Sequence, residues 1–226
     1  MHPLSRSNIM IKVPSEKLSN GYYTKVISWN GLHVLGNTDV PDEAMYTAAE
    51  TVFNLLRHRP DLTATLASAG GRYGIAPEGG VATDLPEFSH LKGQSSFDGR
   101  NKDNAIGLGG VIGNPISSSN VDNVLSLPSD PYAGLQNILL HEAAHLIENV
   151  GFDIALRAEL ATAFENAQSI SAWNGTYAMS NEDEYFAITT EAYFGHDRVD
   201  NVMGSVNTRE KLAAEDPLAF MLLQKV

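Results

Sequence analysis

His141-Glu142-Ala143-Ala144-His145 decides the reading of this chain. On an α-helix, positions i and i+4 lie one turn apart on the same face, so both imidazoles can reach one metal ion. The glutamate after the first histidine then sits beside that ion, placed to take a proton from a water the ion activates. The bland alternative is an amphipathic helix carrying two histidines. Burying two imidazoles and a carboxylate in an apolar helix is costly unless a partner is supplied, and a metal supplies one.

Residues on both sides support a buried helix over 131–150. Asp130 suits the N-cap and Pro131 the first helical position, while Leu135, Ile138, Leu139 and Val150 provide apolar positions. Gly151 follows as a residue able to take the left-handed conformation that closes helices. The motif is the H-E-x-x-H of zinc metallopeptidases, which makes Zn²⁺ the expected cofactor, peptide-bond hydrolysis the expected reaction and a peptide or protein the expected partner. A catalytic zinc normally has three protein ligands. No histidine follows His145 until His196, so the third is expected to be a carboxylate on a later helix. Residues 181–195 open with Asn181 and an acidic first turn, as helix starts do, and Glu184 and Glu191 share one face at i and i+7 with Ile188 between them.

The run Gly175-Thr176-Tyr177-Ala178, then Asn181 and Glu184-Tyr185-Phe186-Ala187, downstream of the two histidines, resembles the catalytic domain of the anthrax lethal factor-like metallopeptidases. These are gluzincins, which hold zinc with two histidines and a glutamate. The resemblance is specific over residues 130–195 and looser before them. It implies that His141, His145 and Glu184 are metal ligands and Glu142 the general base. It also implies that Tyr177, seven residues before Glu184, is a hydrogen-bond donor to the substrate carbonyl in the transition state. The chain departs from the pattern at Ile188, where family members often carry a glutamate that orients a metal-bound histidine. Glu191, one turn on, or a backbone carbonyl is left to do that. The departure also motivates a second reading, a zincin-like binding or regulatory protein of weak or no catalysis. A third is a helical domain without metal.

The expected architecture is therefore an α+β zincin, mostly helical around a small mixed sheet, in a single domain over 1–226, with the cleft beside the helix of the two histidines. A chain of 226 residues that is 43% hydrophobic can enclose one sizeable core, and no linker, repeat or low-complexity run divides it. With a net charge of −12 and no basic face, it is not expected to bind nucleic acid. Absence of cysteine removes disulfides and thiolate sites, leaving His and carboxylate as ligands. No stretch approaches the roughly 18 apolar residues of a membrane span. The start, Met1 to Arg6, lacks the apolar core of a secretory signal, which predicts a cytosolic protein or a secreted one whose signal has been removed. An endopeptidase is expected, because nothing suggests recognition of a peptide's free terminus.

Elsewhere, residues 22–29 read as a strand followed by the hairpin signal Asn30-Gly31, and 42–58 as an amphipathic helix. Residues 70–115, rich in Gly and Pro, read as short strands and loops. Within them Gly107 to Gly113 superficially resembles a dinucleotide loop, but Asn114-Pro115 follows instead of a helix, so that reading is rejected. The segment is instead the candidate edge strand for holding a peptide backbone. Asp98, Asn101, Asp103 and Asn104 lack calcium-loop spacing and read as a solvated loop. Asn174-Gly175-Thr176 reads as a turn rather than a glycan site. His2, His33, His58, His90 and His196 have no paired spacing; His58 reads as a helix-end charge or cap. Residues 153–169 and 208–225 read as further helices, the last capped by Asn207 or Thr208 and broken at Asp216-Pro217.

Overall fold

The strand run and its turn form as their residues dictate. In the computed structural model, which describes residues 6–96, 99–195 and 204–226, β1 (Lys25–Trp29) and β2 (Leu32–Gly36) pair antiparallel, with Trp29 opposite Leu32. Asn30 and Gly31 join them at φ 47 and 85°, the left-handed pair that a two-residue hairpin requires. β3 (Arg72–Ala76) and β4 (Ile116–Asn120) add parallel strands, giving a mixed sheet in the order β1-β2-β3-β4.

Nine α-helices surround this sheet among the described residues. The first four are α1 (Glu16–Ser19), α2 (Asp42–Leu55), α3 (Pro60–Ser68) and α4 (Val121–Val124). They are followed by α5 (Ile138–Leu146), α6 (Ile154–Ser169), α7 (Glu182–Tyr193), α8 (Arg209–Glu215) and α9 (Pro217–Lys225). None is long and apolar enough to cross a membrane. Helices α2 and α3 form the crossover that the parallel β2–β3 pairing needs. The architecture is α+β, mostly helical with a small mixed sheet, as expected from the sequence. Its main core runs from the sheet through Phe53, Leu66 and Tyr73 to Phe152, Tyr185 and Phe186.

Two expectations change. The helix of the two histidines starts at Ile138, not 131. Gly134 takes φ +65°, which breaks a helix, so Asp130 caps only a turn by accepting from Tyr132 N at 2.9 Å. Asn137 is the cap of α5 and accepts from Leu140 N at 3.0 Å. At the other end α5 runs into a π-helical turn over Ile147–Gly151, and Gly151 is not left-handed. Arg157 braces the widened turn: its Nη2 donates to Glu148 O at 3.0 Å and to Asn149 O at 2.8 Å. Secondly, residues 107–113 are no full strand. They meet β4 in one antiparallel bridge, Leu108 to Ser118.

Asp153 caps α6 and Thr208 caps α8. The Asp216-Pro217 break separates α8 from α9, and Asp216 also has a longer reach. It is fully buried, caps α9 through Ala219 N, and accepts from Trp173 Nε1 at 2.8 Å and Tyr185 Oη at 2.5 Å. Asn174-Gly175 is a turn, with Gly175 at φ 75°. Asn101 caps the short 102–104 turn, whereas His2, Asp98 and His196 lie outside the described residues. His58 lies past the end of α2 and faces Arg57 Nε at 2.9 Å, so it is not a helix cap.

Candidate metal centre

Helix α5 is pinned by side chains from the sheet beneath it. Ser117 Oγ of β4 donates to Glu142 O at 2.5 Å and Tyr73 Oη of β3 to Leu139 O at 3.2 Å, while Asn123 Oδ1 of α4 accepts from Leu139 N at 3.2 Å. Ser117 Oγ also accepts from Gly110 N at 2.8 Å, which ties segment 107–113 to the same helix. That segment lies so close that only glycine fits. A Cβ on Gly107 would stand 2.8 Å from Glu142 Cγ, and one on Gly109 2.6 Å from His145 Cβ.

One helical turn then does what the spacing predicts. His141 Nε2 and His145 Nε2 lie 3.1 Å apart, and Glu184 Oε2 lies 3.1 Å from the first and 3.6 Å from the second. Three donors around one ion at about 2.0–2.1 Å in a tetrahedron stand roughly 3.3 Å apart, so the residues fit a zinc-sized divalent cation. Among the described residues these are the one His/Cys/Asp/Glu group able to hold a metal ion. Glu184 reaches it from α7, whose cap Asn181 accepts from Glu184 N at 2.9 Å. The acidic first turn of α7 therefore has one member facing inward, toward the histidines.

The charge balance asks for a cation. Glu142, Glu184 and Glu191 are buried around the two rings, and none pairs with a lysine or arginine among the described residues. Burial opposes a charge on His141, but the carboxylates of Glu184 and Glu191 outweigh it and push its pKa well up. Burial likewise opposes ionisation of Glu184, yet its hydrogen bonds to the two histidines hold its carboxyl far below the usual range. The place between these groups is one where positive charge is strongly favoured, the condition a metal meets. Glu142 is pushed up, chiefly by burial, with the histidines opposing.

Behind His141 stands the group that the departure at Ile188 left open. Glu191 Oε1 faces His141 Nδ1 at 2.9 Å, and Glu191 Oε2 accepts from Asn137 N at 2.9 Å. Gln136 Nε2 donates to Glu191 Oε1 at 3.2 Å. This fixes the ring so that Nε2 is turned to Glu184. Ile188 itself is fully buried in the main core.

Tyr177 is also brought in. Its hydroxyl donates to Glu184 Oε1 at 2.9 Å and accepts from Arg100 Nη2 at 2.5 Å. His141, Glu142, His145, Tyr177 and Glu184 all line a single cleft of about 680 Å³, whose other walls include Arg100, Lys102, Gly107 to Gly109, Val111 and Gln136. Arg100, Gln136 and Ser117 escaped the sequence analysis. Arg100 and Ser117 join the site through tertiary contact, and Gln136, just before α5, stands 3.2 Å from His141 Nδ1.

The chain thus combines an α+β fold with a buried His/His/Glu cluster able to hold a metal ion. No family model matches the sequence, and no curated protein matches it by sequence. Among solved structures, the chain is similar to the PRO-PRO endopeptidase (PPEP-2) from Paenibacillus alvei, with a TM-score of 0.57 and 18% identity, covering 85% of this chain and 96% of that one. At this identity the likeness establishes the fold.

Proposed function

We propose that this chain is a zinc-dependent peptidase acting as an endopeptidase, with one catalytic domain spanning its 226 residues. The observation that carries the reading is the convergence of His141 Nε2, His145 Nε2 and Glu184 Oε2, within 3.6 Å of one another, on the wall of a cleft beside Glu142. The endopeptidase part is supported by the printed name of the structural neighbour. Tyr177 and the ligand set support a lethal factor-like arrangement of roles.

In this reading His141, His145 and Glu184 hold the ion, which when bound supplies Lewis-acid polarisation of the scissile carbonyl. Glu142 takes the proton of the attacking water and returns it to the leaving amine. Its place on the wall of the cleft, one residue after His141, suits it to both transfers. Tyr177 donates its hydroxyl proton as a hydrogen bond to the oxygen on which charge develops. Glu191 holds the His141 ring in place, and the glycines at 107 and 109 let their own segment lie against the helix beside the cleft.

The test is metal analysis of protein purified without chelator, followed by cleavage of a mixed peptide library, with and without Pro-Pro sequences, read by mass spectrometry. Equimolar zinc and chelator-sensitive internal cleavage are expected. Zinc-loaded protein inert on the whole library would replace the enzyme reading with a binding role.

A further inference from the structure

Arg100 reaches Tyr177 across 77 positions of sequence. Its Nη2 donates to the Tyr177 hydroxyl at 2.5 Å, and its guanidinium carbon stands 5.0 Å from the centre of the Tyr177 ring. The same hydroxyl donates to Glu184 Oε1 at 2.9 Å, so Arg100, Tyr177 and Glu184 form a chain of hydrogen bonds that ends on a proposed metal ligand. A phenol has one proton to give, and a guanidinium accepts nothing. The Tyr177 O–H must therefore turn away from Arg100 and toward the His/His/Glu cluster. A cation on the phenol oxygen also polarises the O–H and strengthens it as a donor.

We propose that Arg100 is a positioning residue for Tyr177, fixing the direction of its O–H and strengthening it as the donor to the substrate's developing oxyanion. This rests on the reading of Tyr177 given under the proposed function. Arg100 transfers nothing and stays protonated throughout. Arginine suits the place because its planar fork can lie against the ring and bond the hydroxyl at once, which the point charge of a lysine does less well.

The experiment is a double-mutant cycle with a direct probe of the contact. Arg100→Gln in the parent background should lower kcat about tenfold, the scale of one hydrogen bond to a charged group, with little change in KM. Arg100→Lys should lose less, because the charge is kept. In the Tyr177→Phe background, Arg100→Gln should change kcat by less than about twofold, since the hydroxyl it serves is gone. Zinc content and melting temperature should be equal in all variants. The contact is read independently of metal and turnover by acetylating tyrosines with N-acetylimidazole and locating the label by mass spectrometry. The pH at which Tyr177 labelling is half-maximal should rise in Arg100→Gln relative to the parent, because the cation that polarises its O–H is gone, in metal-free protein as in loaded protein. Equal losses in both backgrounds, a loss confined to KM, or unchanged labelling overturns the proposal. A metal-loaded parent that cleaves nothing overturns the enzyme reading instead, and the labelling then decides Arg100 by itself.

Discussion

Glu191 Oε1 lies 2.9 Å from His141 Nδ1, on the far side of the ring from Glu184, whose Oε2 lies 3.1 Å from Nε2. One imidazole is thus held between two carboxylates of the same helix, seven residues apart. Glu191→Gln keeps the shape but weakens the orienting bond, and should cost about 10–100-fold in metal affinity or turnover. Chelator competition measures it. An unchanged dissociation constant and rate would reduce Glu191 to a buried helix cap for Asn137.

Glu142 and the three donors should separate cleanly. Glu142→Gln is expected to retain zinc and lose at least about 10²-fold in turnover, because only the proposed base is removed. Alanine at His141, His145 or Glu184 should lower zinc content and turnover together. If Glu142→Gln sheds its metal, the division of roles is wrong.

The approach of segment 107–113 to α5 leaves no room for a side chain. Gly109→Ala puts a methyl 2.6 Å from His145 Cβ and 3.0 Å from its Cγ, so the ring or the segment must move. A loss of about 1–3 kcal/mol in stability, with weaker zinc binding, is expected. Ile112→Ala, on the same segment but 81% exposed, should leave both unchanged. Equal behaviour of the two variants in urea unfolding would show that the segment yields easily.

Glu148 carries a pH signature of its own. Burial and the nearby charge of Asp183 push its pKa up to about 7 from an ordinary value of 4.5, against the opposing pull of Arg157. The folded protein therefore holds this proton where the unfolded chain has released it, and the stability it confers falls as pH rises from about 4.5 to about 7. Above that window the cost is constant. Glu148→Gln lacks this titration, so urea midpoints of variant and parent should diverge in the variant's favour across the window. Parallel curves would contradict the assignment.

The parts of the fold and site readable in the sequence were those with a local period. The two histidines at i and i+4, the acid directly after the first of them, and Glu184 and Glu191 on one face of α7 follow from helical geometry. So do the Asn30-Gly31 hairpin and the break at Asp216-Pro217. The start of α5 was misplaced because Asp130-Pro131 is a good helix opening in isolation, and the left-handed Gly134 interrupts it three residues later. Helix α3 was not singled out, although Pro60 at its first position and Asp61 in its first turn are a start signal. Arg100 had no local signature and joins the site through a contact 77 residues distant in sequence, and Gln136 bonds Glu191 55 residues away although it also stands near His141.

Asp216 gives the site a place in time as well as in space. Its carboxylate accepts from Trp173, four residues before Tyr177, and from Tyr185, the neighbour of Glu184. The two stretches that bring Tyr177 and Glu184 to the histidines are thus moored to a residue 71 positions downstream of His145. A chain emerging from the ribosome shows its two histidines early, and the Asp216 bonds to these stretches form only once residue 216 follows. The His/His/Glu cluster, on this arrangement, acquires its full mooring only after residue 216 has joined the chain.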